Sequence, residues 1–206
     1  IVDLPGIYSL SPYSAEEIVA RDYIVDENPD VLIDIVDGTN IERNLYLTLQ
    51  VLETKIPTVI ALNMMDEVEA SGAKIDVKKL SKILGVPVIP IVARSGKGIN
   101  ELMEAAQKIA SSKVEDNNLE VFSPQVNNYI TQIVGVLGDN NNQNQKSNSS
   151  DMWHAIKILE KDPEVMKNYP IRTEDIVDKN YEHEIINQKY DFIEEIIREV
   201  VIHKEK

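Results

Sequence analysis

Three short segments combine side chains and spacings that can do chemistry. Asn63-Met64-Met65-Asp66 closes an apolar run, TVIALN, at residues 58–63. A carboxylate there can accept two hydrogen bonds, from the N1–H and the exocyclic amine of guanine. Adenine presents no such donor pair, and a site built on those bonds leaves a buried charge unpaired when the wrong base enters. Asn63 would lock neighbouring loops and touch N7 of the base. Asp3-Leu4-Pro5-Gly6 follows Ile1-Val2, which reads as the end of a strand. A carboxylate in that position can hold Mg²⁺ through its water shell. A glycine three positions on lets a backbone N–H approach a terminal phosphate. The third segment, Val92-Ala93-Arg94-Ser95-Gly96-Lys97-Gly98, follows another apolar run. Its Ala93 N–H can meet the guanine carbonyl oxygen, with Arg94 beside it. Each segment also has a plainer reading: a Pro-Gly turn, a helix cap and a tight loop. Gly96-Lys97 lacks the GxxxxGK[ST] spacing and is not a phosphate-binding loop.

These segments need a scaffold. Residues 31–37 (VLIDIVD), 58–63 and 86–92 (VPVIPIV) read as strands buried on both faces. Helical stretches separate them. Ser14-Ala15-Glu16-Glu17 is a capping box opening a helix over 15–26, closed by Pro29. Asn40 is placed to cap 41–54, where Leu45, Leu49 and Leu52 recur at helical spacing. Asp76 caps a short helix ending at Gly85, and residues 99–112 form another. This alternation implies a parallel α/β sheet. All three chemical segments then fall at the C-terminal ends of strands, where doubly wound sheets hold ligands.

After Lys113 the strands nearly stop. Ser123-Pro124 opens a helix to about Leu137, ended by Gly138. The stretch 139–151 (DNNNQNQKSNSSD) has no apolar side chain and reads as a mobile loop. Met152, Ala155, Ile156 and Leu159 mark a short helix before Asp162-Pro163. From Thr173 a last helical region, with a break near 178–180, carries Ile186, Tyr190, Ile193, Ile197 and Val200 as its apolar stripe. Two domains are expected: residues 1–113, α/β, and 114–206, a small helical lobe.

Composition excludes several classes. The 206 residues carry a net charge of −14, and both halves are acidic, so no nucleic-acid partner is expected. There is no cysteine, hence no disulfide or thiolate chemistry. No apolar run reaches the length that crosses a bilayer. His154, His183 and His203 lack partners at metal-ligand spacing, and Glu182-His183-Glu184 reads as a solvated helix face. The opening Ile1-Val2-Asp3 reads as a cut through a longer protein.

The order DxxG, NxxD, then a short Ala loop before a final helix resembles the Ras-like P-loop GTPases. Within them, Asp3-Leu-Pro-Gly-Ile-Tyr-Ser-Leu, Val19-Ala-Arg-Asp22, Asp37-Gly-Thr-Asn-Ile-Glu-Arg-Asn-Leu-Tyr-Leu-Thr-Leu-Gln50 and Ala61-Leu-Asn-Met-Met-Asp66 are similar to the cytoplasmic GTPase of the ferrous iron transport protein B (FeoB) family. Trp153-His-Ala-Ile-Lys-Ile-Leu-Glu160 and Tyr190-Asp-Phe-Ile-Glu194 resemble pieces of its helical, nucleotide-affinity-modulating domain.

The resemblance implies GTP or GDP with Mg²⁺ as ligands and leaves a K⁺ requirement open. It places guanine on Asn63, Met64, Asp66, Ala93 and Arg94, and the phosphate and water-bound Mg²⁺ on Asp3 and Gly6. It implies a partner in the protein's own C-terminal membrane region, which conducts Fe²⁺, and a seat on the cytoplasmic face of the membrane. Homo-oligomerisation stays open. The family's phosphate loop, first strand and first switch would lie upstream of Ile1. Met64 replaces a common Lys, Val92 a common Ser or Thr, and Ile7 stands where Ras-type enzymes place a water-orienting Gln, so slow hydrolysis follows. The rivals are a ribosome- or RNA-associated GTPase, against which the acidity argues, and a degenerate GTPase fold serving as an interaction module.

Overall fold

The structure is a computed structural model in which residues 1–112, 119–141 and 151–203 are described. The elements run α1 (Ala15–Glu27), β1 (Leu32–Asp37), α2 (Ile41–Glu53), β2 (Thr58–Asn63), α3 (Met65–Ala70), β3 (Ala73–Ile75), α4 (Val77–Leu84), β4 (Val88–Pro90) and α5 (Ile99–Ser111). Then follow α6 (Pro124–Asn141), α7 (Asp151–Leu159), α8 (Pro163–Asn168), α9 (Glu182–Val200) and β5 (Val201–His203). Strands β1, β2 and β4 form a parallel sheet in that order. Its register sets Asp37 opposite Asn63 and Leu62 opposite Pro90, so the loops leaving all three strands share one edge.

Successive side chains of a strand point to opposite faces, and β2 uses both. Ile60 and Leu62 pack with Leu45 and Leu49 of α2 and Leu80 and Leu84 of α4. Val59 and Ala61 pack with Leu102 and Ala106 of α5. A separate core joins Val126, Ile130 and Ile133 of α6 to Trp153, Ile156 and Leu159 of α7, with Val165, Tyr181 and Ile185. Helix α9 reaches both: Ile185 lies in this second core, while Ile193, Ile196 and Val200 lie in the sheet core. Nineteen residues span about 28 Å, enough for that reach.

Local signals account for several boundaries. Ser14 Oγ accepts the Glu17 N–H at 3.1 Å while Glu17 Oε2 accepts the Ser14 N–H at 3.2 Å, the reciprocal cap that starts α1. Asp76 Oδ1 accepts the Lys79 N–H at 3.0 Å, and Gly85 at φ 67° ends α4.

Elsewhere the structure corrects the sequence reading. Ile1 and Val2 are exposed and lie in no strand. β1 is not buried on both faces, since Ile35 is 65% exposed. Asn40 does not cap α2 with its side chain; its Nδ2 donates instead to Asp37 Oδ2 at 3.1 Å. Gly138 does not stop α6, which runs on to Asn141, and Asp151 is a buried residue that opens α7. The remainder of the polar stretch, 142–150, lies outside the described residues, as does the junction at 113–118. The stripe of α9 is Ile185, Lys189, Ile193, Ile196 and Val200, so Tyr190 stays half-exposed against Tyr46 rather than in the core. An unforeseen antiparallel ribbon pairs β3 with β5, Ala73 opposite His203.

Candidate functional site

Asn63 ends β2, and its Oδ1 accepts the Ala93 N–H at 3.0 Å from the loop after β4. The donor that the sequence aims at a base carbonyl is thus engaged by Asn63 in this structure. Met64 follows at φ 64°, a left-handed turn that swings the chain directly into α3. The first turn of α3 carries Asp66, where the helix dipole favours a carboxylate. Arg94 Nη2 lies 3.7 Å from Asp66 Oδ2, with Arg94 87% exposed and Asp66 40%. Asn63, Met64, Asp66, Ala93 and Arg94 therefore meet at one edge of the sheet.

The loop that brings Ala93 there depends on glycine. Gly98 has φ +82°, and a Cβ on it would stand 2.4 Å from the Pro90 carbonyl oxygen. Val92 N donates to Lys97 O at 3.0 Å, closing the loop on itself.

Asp3 and Gly6 are both exposed. Their segment is pinned by its apolar members: Leu4 and Ile7 pack against Leu10, Ile24, Val51 and Ile56. The Leu10 N–H also donates to Gln50 Oε1 at 2.7 Å. A Cβ at Gly6 would meet nothing within 4 Å, so the space beside it is open.

Sequence reasoning missed two features. Asp37, Gly38 and Thr39 build a turn against the end of β2. Asp37 Oδ1 accepts the Thr39 N–H at 2.8 Å and its hydroxyl at 2.7 Å. Slight burial pushes the Asp37 carboxyl up, but these bonds and those from Asn40 outweigh it and hold it below the ordinary value. A Cβ on Gly38 would stand 2.9 Å from the Asn63 carbonyl oxygen, so only glycine lets this turn touch the site. The available signal was Asp-Gly-Thr-Asn at the end of a strand adjacent to β2.

The second is a seam of buried charge between the lobes. Lys189 Nζ lies 2.9 Å from Glu53 Oε1 and 2.8 Å from Glu160 Oε1, and Lys157 Nζ lies 2.7 Å from Glu160 Oε2. Burial pulls the Lys189 ammonium down, yet Glu53 and Glu160 outweigh that and hold it above the usual lysine value. Lysine at the spacing of an isoleucine stripe was the signal.

A cleft of about 630 Å³ opens between Thr39, Arg43, Glu67, Ser71, Tyr190 and His203, and none of the five clustered residues lines it. No group of three or more His, Asp or Glu that could hold a metal ion occurs among the described residues. No described helix is long and apolar enough to cross a membrane.

A parallel sheet with helices on both faces, its polar residues gathered at the strands' carboxyl ends, defines a Ras-like G domain, here joined to a helical lobe. The profile of ferrous iron transport protein B matches residues 1–106, and that of the FeoB cytosolic helical domain matches 122–202. The chain belongs to the FeoB family. It is 40% identical over 172 residues to an Fe(2+) transport protein A/Fe(2+) transporter FeoB fusion protein of Porphyromonas gingivalis, covering 80% of this chain and 20% of the relative. It is 45% identical over 117 residues to the Fe(2+) transporter FeoB of Escherichia coli, covering 55% of this chain and 15% of the relative. The chain thus spans a fifth or less of these relatives. Among solved structures, mGMPPNP-bound NFeoB from S. thermophilus superposes with a TM-score of 0.84 at 38% identity, covering 99% of this chain and 80% of that one. The apo cytosolic domain of T. maritima FeoB gives 0.82 at 29% identity, covering 97% and 79%.

Proposed function

We propose that this chain supplies the guanine-recognising part of a slow GTPase that regulates Fe²⁺ passage through a membrane region outside these residues, from the membrane's cytoplasmic face. The observation that carries the reading is the cluster at the strand ends: Asn63 Oδ1 on Ala93 N at 3.0 Å, with Asp66 beside Arg94. Relatives whose structures hold GMPPNP or GDP support it.

In this reading Asp66 accepts the two donors of the guanine edge, Met64 packs on the ring, and Asn63 holds the loop that carries Ala93 and Arg94. Arg94 offers Asp66 a cationic donor while no base is bound, and its exposure leaves it free to swing aside. Asp3 is a single exposed carboxylate. Mg²⁺ binds one or two carboxylates together with waters and phosphate oxygens, so Asp3 fits it as a partner through water beside a nucleotide. The bound ion would neutralise phosphate charge. Ile7 packs into the Leu10 cluster and has no group with which to orient an attacking water. Turnover without a partner is expected on the order of 10⁻⁴ to 10⁻² s⁻¹.

Titration calorimetry on the full-length protein tests the reading. GDP is expected to bind and ADP not to, and Asp66→Asn should transfer preference to xanthosine diphosphate, whose C2 carbonyl suits an amide donor. Unchanged guanine preference in the variant would refute the assignment of Asp66.

A further inference from the structure

Helix α1 leaves the segment that carries Asp3 and Gly6 and is held from two sides. Ile24 packs with Leu10, Val51 and Ile56 of the sheet lobe. Val25 packs into the core of the helical lobe. Arg21, one turn before Val25 and so on the same face, is 6% exposed. Its Nη1 lies 3.4 Å from Asp162 Oδ2, and Asp162 is equally buried. Asp162 belongs to the turn between α7 and α8, and its other oxygen accepts the N–H groups of Glu164 and Val165 at 3.1 Å each. Glu160, two residues earlier, is where the Glu53–Lys189 seam enters the same turn. A single turn of the helical lobe therefore meets α1 directly, through Asp162, and α2 by way of Lys189, through Glu160.

A buried ion pair is costly to desolvate and adds little net stability, but it fixes one arrangement, because displacing either partner strands a charge. The segment 3–6 has no such anchor of its own. Its nearest fixed points are Leu4, Ile7 and Leu10, and beyond them the capping box that leads into α1.

We propose that Arg21 is a positioning residue for the phosphate end of the site: its bond to Asp162 seats α1 on the helical lobe, so the segment 3–6 and the α7–α8 turn move as one body. This rests on the nucleotide reading above and adds the residue pair that links that site to the lobe. In that reading Gly6 of the segment reaches the terminal phosphate, which GTP has and GDP lacks. The Arg21–Asp162 pair therefore sets that distinction, while the base preference, which belongs to Asp66, is independent of it.

Asp162→Asn is the clean probe. Asparagine caps a helix about as well as aspartate, so α8 keeps its start, and Arg21 retains Asp22, 3.6 Å from its Nε. Arg21→Lys keeps the charge and Arg21→Gln removes it. In the full-length protein, dissociation constants for GDP and GMPPNP would be measured for each variant. Hydrogen exchange of the amides at 163–168 would be followed with either nucleotide bound. The ratio of the two constants is expected to shift by about fivefold or more in Asp162→Asn and Arg21→Gln, and Arg21→Lys should return it toward wild type. Exchange at 163–168 should respond to the nucleotide in wild type and lose that response in Asp162→Asn. An unchanged ratio in both charge-removing variants, with the exchange response intact, would overturn the proposal. A wild-type protein that binds neither nucleotide would overturn the nucleotide reading itself.

Discussion

Two helices of thirteen residues flank the same sheet on opposite faces, yet they are buried in different ways. α5 buries Leu102 and Ala106 and leaves its other side to water. α2 buries eight residues, Thr48, Gln50 and Glu53 among them. Every one of those three has a partner. Thr48 Oγ1 donates to Asp34 Oδ2 at 2.6 Å, Gln50 Oε1 accepts from the Leu10 N–H at 2.7 Å, and Glu53 pairs with Lys189 at 2.9 Å. α5 is an ordinary amphipathic helix. α2 is wedged between the sheet, the segment before α1, and α9, and a helix so enclosed must bring a partner to each buried polar residue, although Gln50 Nε2 is left without a hydrogen bond. Burial alone says little about how a residue stabilises; the partner supplied to it decides.

That contrast can be broken at several points, with effects of decreasing size. Lys189→Ala should be the most damaging, because it leaves Glu53 facing Glu160 without the ammonium between them. A loss of about 3–5 kcal/mol is expected in urea unfolding. Pairing Glu53→Leu with Lys189→Met should recover most of it, since an apolar pair removes both desolvation costs. A loss below about 1 kcal/mol for Lys189→Ala would mean that the seam is no more than a surface pair.

The Asp34–Thr48 contact sharpens the contrast through pH. Burial pushes the Asp34 carboxyl up to about 6 against an ordinary 3.8, and the Thr48 hydroxyl only partly offsets this. The folded protein thus holds a proton that the unfolded chain has released. Stability from this group is fully present below pH 4 and is lost as pH rises through 6, by about 3 kcal/mol at most. Asp34→Asn should abolish that difference, so the gap between variant and wild type should widen from pH 4.5 to pH 7. A gap that stays constant over this range would contradict the raised value. On α5, Glu104→Ala should change stability by less than about 0.5 kcal/mol. Chemical denaturation would show a larger cost if α5 had a hidden partner.

The same contrast explains what could be read from the sequence. The sheet and its helices were legible because Leu45, Leu49 and Leu52 repeat at helical spacing and β-branched runs end in turn residues. Thr48, Gln50 and Glu53 were not, because polar residues in a helix read as its wet side until a neighbour is known. Of the α9 stripe, Ile193 and Val200 are legible, while Ile186, Tyr190 and Ile197 each stand one residue past the buried Ile185, Lys189 and Ile196, because a lysine on that line reads as polar. The β3–β5 ribbon joins two runs of three residues, 73–75 and 201–203, and no local pattern announces a pairing so distant in sequence. At the candidate site, the meeting of Asn63 with the loop after β4 was readable because both close strands of one parallel sheet. The turn at Gly38 was not, since its role depends on the register that sets Asp37 opposite Asn63.

The seam also has a consequence for how the chain is made. Lys189 follows Glu53 by 136 residues, and Asp162 follows Arg21 by 141. At about 5–20 residues per second of synthesis, the helices α1 and α2 wait about 7–30 s for the side chains that will cover them. The sheet β1-β2-β4 can close in that interval, leaving those flanks bare. A greasy flank would invite association with other nascent chains, whereas Arg21 and Glu53 keep it hydrated until Asp162 and Lys189 emerge. The ion pairs that add little to the finished fold make its long unfinished state soluble.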